Sequence, residues 1–269
     1  MTASWPPDLL AGQVAVVTGG ASGLGRAAAL RLGSAGISAV VVADLRREPR
    51  EGGAPTTDLL ADMGVASTFV PCDVADVAQV RVAVAAAERF GGVTILVPAA
   101  GILRMEDPLA VTEQDYDAMM DVNVKGAFFA AQAAASSMVD GGRGGAIVLI
   151  SSVGGEIGSA SLPTYNMSKG AVRMLARSLA AALGPRGIRV NAVHPGVVRT
   201  AMTTADTRLA VDEDGSGLPL RRLGEPDDVA DVIVYLASPL SGYVAGTSVF
   251  VDGGAHSTKP GRGVPQAPT

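Results

Sequence analysis

The sequence predicts an α/β fold: a doubly wound parallel sheet of about seven strands with helices on both faces, built by one domain within 269 residues. Three observations predict it. Short β-branched apolar runs alternate with longer Ala-rich stretches of helical spacing, the pattern of β-α-β units around a parallel sheet. The first apolar run leads straight into a glycine-rich turn and a helix. No linker, composition break or fixed-period repeat marks a second core, and 48% hydrophobic residues suffice for one large core.

The strands are expected at Val14 to Thr18, Ala39 to Ala43, Ser67 to Pro71, Ile95 to Pro98, Ala146 to Ser151, Arg189 to His194 and Ser248 to Val251. Helical spacing predicts helices at Leu24 to Ala35, Ala75 to Phe90, Glu113 to Val139, Thr164 to Leu183 and Pro226 to Ser238. Arg46 to Pro55 is charged and Gly/Pro-rich, and Gly141 to Gly145 reads as a flexible turn. Thr200 to Gly224 is polar, with Asp212, Glu213 and Asp214 before a Gly-Ser-Gly, and is the expected substrate lid. The catalytic domain is expected over residues 1–254. Residues 255–269 lack periodicity and read as a tail, either disordered or tied down by a neighbouring subunit.

Composition narrows the partners. The formal net charge is −5, without a basic block to track a phosphate backbone or an anionic membrane, so neither nucleic acid nor membrane is expected. Met1 to Pro7 lacks the charged start and apolar core of a secretory signal, and no run is long enough to span a bilayer; a soluble cytoplasmic protein is expected. Cys72 is the sole cysteine, which removes intrachain disulfides and thiolate clusters, and it reads as a small buried residue at a strand end. His194 and His256 are the two histidines and lack metal-ligand spacing, so no metal site is expected.

The first strand runs into Gly19-Gly20-Ala21-Ser22-Gly23-Leu24-Gly25 and then a helix. Glycines let backbone N–H groups approach a pyrophosphate, and the helix dipole favours its charge. Asp44 closes the second strand, where a carboxylate can accept hydrogen bonds from both hydroxyls of an adenosine ribose. It would repel a 2'-phosphate, which favours NAD over NADP, although Arg46 and Arg47 follow and could compensate if they turned inward.

Tyr165 and Lys169 stand four apart on one helix face, the geometry of a proton-transfer pair. A free phenol has a pKa of about 10, and a neighbouring cation lowers it toward a useful base. Ser152 lies at a strand end on the edge where open sheets hold ligands, so its hydroxyl can bond a substrate oxygen; Ser151 beside it competes for that role. Asn123 is polar within an apolar helical stretch and either holds a water against the lysine or bonds the backbone. Leu103, Met105, Val153, Leu162, Val197 and Met202 are the candidate pocket residues, and their apolar character points to a small or alicyclic apolar substrate.

Taken in order, these motifs resemble the short-chain dehydrogenase/reductase family, over nearly the whole chain from about Leu10 to Gly254. The resemblance rests on Thr18 to Gly25 (T-G-x-x-x-G-x-G), the acidic Asp44, Asp73-Val74, Asn123 to Gly126 (N-x-x-G), Ser152, Tyr165 to Lys169 (Y-x-x-x-K) and Pro195-Gly196. It implies a Rossmann-like fold and an NAD-dependent enzyme acting on a small-molecule alcohol or ketone. Tyr165 would then be the general acid/base, Lys169 would lower its pKa and bind the nicotinamide ribose, Ser152 would orient the substrate oxygen, and Asn123 would complete a proton relay through water.

Cofactor contacts are implied for Thr18, Gly19, Ser22, Gly23, Leu24, Gly25, Asp44 and Leu45, for Asp73 and Val74 beside the adenine, for Ala100 and Gly101, and for Tyr165 and Lys169. Pro195, Gly196, Val198 and Thr200 complete that set, the last two at the carboxamide. In NADP-using members a basic residue often stands where this chain has Ser22. The family's Asn-Asn-Ala-Gly appears here as Pro98-Ala99-Ala100-Gly101, which loses both amides. A homotetramer is also implied. Two further readings share the skeleton: a 3-oxoacyl-thioester ketoreductase, against which Asp44 counts, and a non-catalytic nicotinamide-binding regulator.

Overall fold

A computed structural model describes residues 5–204 and 215–258. The acidic Asp212 to Asp214 cluster, most of the central part of the expected lid and residues 259–269 of the tail lie outside the described residues. The strands are β1 (Val14–Thr18), β2 (Ala39–Asp44), β3 (Ala66–Pro71), β4 (Ile95–Pro98), β5 (Gly145–Ile150), β6 (Ile188–Pro195) and β7 (Ser248–Val251). The helices are α1 (Gly23–Ser34), α2 (Thr56–Asp62), α3 (Val77–Ala85), α4 (Glu113–Met120), α5 (Gly126–Asp140), α6 (Pro163–Leu183), α7 (Ala201–Thr204) and α8 (Pro226–Ala237).

All seven strands pair in parallel in the order β3-β2-β1-β4-β5-β6-β7, a single Rossmann-like domain with helices on both faces. The continuous apolar runs have a direct cause: successive residues of a strand face opposite layers, and both layers are covered. Val14 and Val16 join a core with Met138 of α5 and Val172 of α6. Ala15 and Val17 join a second core with Leu32 of α1 and Ile233 of α8.

Three local departures from the sequence expectation have physical reasons. The helix expected over Ala75 to Phe90 is α3 followed by a 3₁₀ turn at Ala86–Phe90, and Asp76 caps it by accepting hydrogen bonds from Ala78 N and Gln79 N. The one expected over Glu113 to Val139 is interrupted by a π-helical turn at Asp121–Lys125, an insertion that apolar spacing does not register. α2, short and straight after the charged Gly/Pro stretch, has too few turns to display a period. Buried Thr56 and Leu60 anchor it, and Thr56 Oγ1 donates to Gly20 O at 2.9 Å.

The order of the sheet reverses between β1 and β4, which opens a crevice beyond their carboxyl ends. β4 pairs with β5 only through Ile95–Ala146 and Leu96–Ile147, so the two strands part toward that edge. Pro98, which has no N–H to donate, is the last residue of β4, where a lost ladder bond matters least. Cys72 is buried directly after β3; burial first, then Asp73, Asp44 and Asp76, push its thiol up to about 11 and leave it unreactive. Among the described residues no helix is long and apolar enough to cross a membrane.

Candidate active site

The glycines after β1 sit against other backbone. A Cβ on Gly19, at φ +66°, would lie 2.7 Å from Ala100 N, and one on Gly25 would lie 2.2 Å from Gly19 O. The turn therefore folds flat onto the loop after β4 and presents the α1 N-terminus to a cavity. Gly19, Ser22, Gly23, Leu24, Gly25, Asp44, Leu45, Asp73, Val74, Ala100, Gly101 and Thr200 all line that cavity. Thr18 does not. It is buried beneath the loop, its Oγ1 accepting from Ala100 N at 3.4 Å and its carbonyl from Ala99 N at 3.0 Å.

The donor set suits a dinucleotide. Gly23 N, at the first turn of α1, already donates to a carboxylate oxygen of Glu51 at 2.9 Å, so this N–H binds anionic oxygen. Asp44 Oδ2 accepts from Ala21 N at 3.1 Å and Oδ1 from Leu45 N at 2.7 Å, which holds the carboxylate at the cavity wall. Neither of the two arginines expected to compensate lines the cavity. Arg47 pairs with Asp58, and Arg46 is exposed and does not line the cavity, whereas Arg50 reaches the cavity and its N–H donates to Ser22 Oγ at 2.8 Å. Arg50 and Glu51 lie in an aperiodic Gly/Pro-rich stretch, whose path no sequence pattern marks.

A second, larger cleft of about 500 Å³ shares Leu24, Ala99, Gly101, Ile102 and Met202 with this cavity. Ser152, Tyr165, Lys169, Pro195, Gly196 and Val198 line it. So do all six apolar candidates, Leu103, Met105, Val153, Leu162, Val197 and Met202. The two serines after β5 separate cleanly: Ser151 Oγ donates to Lys169 O at 2.8 Å and is used up by α6, while Ser152 Oγ accepts from Gly154 N at 3.0 Å and partners the Tyr165 hydroxyl.

Tyr165 and Lys169 face each other within α6, Lys169 Nζ standing 5.6 Å from the phenol ring centre. Burial pushes the Tyr165 phenol above its usual value, and the Ser152 hydrogen bond pulls it part of the way back. Lys169 is 7% exposed, donates to Ile150 O at 3.0 Å, and is pushed by burial from 10.5 down to about 8. An ammonium with that pKa is still charged at neutral pH but is costly to keep there.

That cost makes a stability prediction. Between about pH 8 and 10.5 the unfolded chain holds a proton that folded Lys169 releases, so stability rises with pH across this window. Below it the charged lysine costs about 3 kcal/mol. Lys169→Met is expected to raise the Tm of the free protein by several degrees at pH 7, an advantage that shrinks toward pH 10.5, while abolishing turnover. Thermal scans at both pH values check it; a lower Tm at pH 7 would contradict it.

Asn123 is buried inside the π-turn. Its Oδ1 accepts from Ile102 N at 2.8 Å, and its Nδ2 donates to Ile102 O at 2.9 Å and to Ser168 Oγ at 3.0 Å. Of the two expected roles, the structure shows the backbone bond: Asn123 clamps the loop after β4 to α6. Gly101 lies between it and the lysine, where a Cβ would meet Asn123 Oδ1 at 3.2 Å and Lys169 Nζ at 3.6 Å.

A family profile described as "Enoyl-(Acyl carrier protein) reductase" matches residues 19–256. The chain is 40% identical over 249 residues to an L-rhamnose 1-dehydrogenase (NAD(P)(+)) of Azotobacter vinelandii, covering 91% of this chain and 97% of that one. It is 37% identical over 262 residues to the (3R)-3-hydroxyacyl-CoA dehydrogenase of Homo sapiens, covering 94% and 98%. The crystal structure of a short-chain type dehydrogenase/reductase from Mycobacterium marinum superposes with a TM-score of 0.85 at 34% identity, covering 93% of this chain and 99% of the other.

Proposed function

This chain belongs to the short-chain dehydrogenase/reductase family of oxidoreductases, and on that premise we propose that it is an NAD(H)-dependent enzyme interconverting a secondary alcohol and a ketone. One observation carries the reading: Ser152, Tyr165 and Lys169 meet at a cleft that continues into the glycine-lined cavity. The substrate is a small molecule with an apolar or alicyclic skeleton, in keeping with the leucine, methionine, isoleucine and valine side chains of the walls.

Tyr165 takes the hydroxyl proton during oxidation and returns it during reduction. Ser152 stands beside the phenol and turns its hydroxyl proton to the substrate oxygen once substrate is bound, so the two hydroxyls fix where the alkoxide charge develops. Lys169 holds a positive charge beside the phenol, which favours the phenolate over the buried neutral form, and binds the nicotinamide ribose. Asn123 fixes the Ile102 backbone across from Lys169 with its side chain, so a proton relay through water would have to use its main chain. When bound, the nicotinamide accepts the hydride in oxidation and donates it in reduction.

Gly19, Ser22, Gly23, Leu24 and Gly25 would cradle the diphosphate, with buried Thr18 holding the loop beneath them, Asp44 and Leu45 would take the adenosine ribose, and Asp73 and Val74 the adenine. Ala100, Gly101, Pro195, Gly196, Val198 and Thr200 would take the nicotinamide end, with the segment 200–224 as the lid; Met202 and Thr203 already line the cleft. The reading includes a cytoplasmic homotetramer, supported by the exposed Phe128, Met167 and Met174 on α5 and α6.

An absorbance assay for reduced nicotinamide over a panel of secondary alcohols, run with NAD and NADP in parallel, tests the reading. No turnover with either cofactor would sink it. Asp44→Ala removes the like charge facing a 2'-phosphate and leaves Arg50 at the cavity. It is expected to shift the NADP-to-NAD ratio of kcat/KM upward by about tenfold or more, since each tenfold is about 1.4 kcal/mol. A ratio that does not move would remove Asp44 as the selective group. An acyl-thioester substrate is the second reading, favoured by the identity to the human (3R)-3-hydroxyacyl-CoA dehydrogenase, and the same assay with a 3-hydroxyacyl thioester separates the two.

A further inference from the structure

The chain's two histidines meet at one phenylalanine. The Phe250 ring lies 4.7 Å from the His194 ring, tilted to it by 34°, and 3.6 Å from the His256 ring, within 10° of parallel. His194 is fully buried at the end of β6, with Nδ1 2.9 Å from the Ser152 carbonyl oxygen; burial holds its pKa below the usual value, so it stays neutral and donates to that carbonyl. The stack is thereby tied to the residue whose hydroxyl partners Tyr165.

His256 follows β7 on a turn that Gly253 and Gly254 make at φ +63° and +90°, angles open to glycine. Asp252 clamps it: Oδ2 accepts from both the backbone N and the ring Nδ1 of His256, at 2.8 and 2.9 Å, and Oδ1 accepts from Gly254 N at 2.9 Å. The Asp252 side chain is 6% exposed. Burial alone would push its carboxyl up, but these bonds outweigh it and keep the group ionised. Gly196 backs the clamp, since a Cβ there would lie 2.8 Å from Asp252 Cα.

In the neutral ring, whose Nδ1–H donates to the carboxylate, Nε2 is an acceptor, and no described residue bonds it. The ring lines the same cleft as Ser152 and Tyr165. Two neighbouring polar groups there are engaged: Ser151 bonds Lys169 O, and Asn166 pairs with Ser159. His256 therefore presents an oriented ring nitrogen, without a partner among the described residues, in a mainly apolar wall.

We propose that His256, held by Asp252 and stacked on Phe250, accepts a hydrogen bond from a second hydroxyl of the substrate, which makes diols the preferred alcohols of this cleft. The proposal rests on the oxidoreductase reading above and refines its substrate class. A preset acceptor favours a molecule that satisfies it and disfavours one that enters the cleft and leaves it desolvated.

The test takes the best monofunctional secondary alcohol from the panel and the diols that add one hydroxyl to the same skeleton. The parent enzyme is expected to prefer at least one diol, and His256→Phe, which keeps a ring on Phe250, to lower the diol-to-monoalcohol ratio of kcat/KM by about tenfold, mainly through KM. His256→Gln, which restores an acceptor, is expected to recover part of that ratio. His256→Ala is read by the same ratio, so the test survives misfolding of either other variant. A parent without diol preference, or variants in which both substrates fall equally, would overturn the proposal and leave the oxidoreductase reading standing. A parent that oxidises no alcohol overturns both.

Discussion

Tyr165→Phe is expected to lower turnover about a thousandfold or more while leaving the binding of reduced nicotinamide nearly unchanged. The substitution removes the phenol oxygen and little else, since the ring still fills its place between Ser152 and Lys169. Loss of a positioned proton donor costs roughly 10²–10⁴-fold, and here the hydrogen bond that helps place the substrate oxygen disappears with it. Burial raises the phenol above its usual value, so in the parent enzyme the rate of alcohol oxidation should climb with pH as the phenolate becomes accessible. The variant should lose that climb along with its rate. Fluorescence titration with reduced nicotinamide, set beside steady-state rates across pH, measures both quantities. Near-normal turnover in the variant would show that the proton goes elsewhere.

A single methyl at Gly25 is expected to do comparable damage by a different route. The Cβ of Gly25→Ala would stand 2.2 Å from Gly19 O and 3.1 Å from Gly20 N, and both partners are backbone that has no rotamer to give way. The loop after β1 must move off α1, and Gly19 in turn bears on Ala100 after β4. Overpacking of this kind costs about 1–3 kcal/mol or more. For a domain of this size that is a fall in Tm of roughly 2–6 °C. Because the displaced atoms are the walls of the proposed diphosphate site, nicotinamide affinity should fall at least tenfold even at temperatures where the variant remains folded. A variant with parental Tm and parental affinity would show that the loop is not as tightly seated as its contacts indicate.

How much of the site could be read in advance depended on the kind of residue. Tyr165 and Lys169 were legible because a helix brings positions four apart to one face whatever surrounds it. Five of the six apolar cleft residues were legible because they follow strand ends, and strand ends of an open parallel sheet converge on one edge; Leu162 stands at the start of α6. The choice between Ser151 and Ser152 was not: neighbouring residues after a strand diverge, and the decision belonged to Lys169 O, which takes the Ser151 hydroxyl. Asn123 was visible as a polar residue in an apolar stretch, yet the π-turn that lets its amide grip both backbone groups of Ile102 has no signature in apolar spacing. His256 stood in what read as an aperiodic tail, and its partners Asp252 and Phe250 mattered only once the glycine turn folded it back over β7.

The sequence by itself determined the α/β class, the parallel sheet with its glycine turn and the helix that pairs Tyr165 with Lys169, because each follows from local spacing and from burial of both sheet faces. The tertiary structure alone decided that Arg50 rather than Arg46 or Arg47 reaches the glycine-lined cavity, that Glu51 sits on Gly23 N, and that two distant histidines pack on one phenylalanine near Ser152. Those contacts join irregular segments far apart in the chain. Their partners are chosen by the way loops close over the sheet edge, which no periodicity encodes.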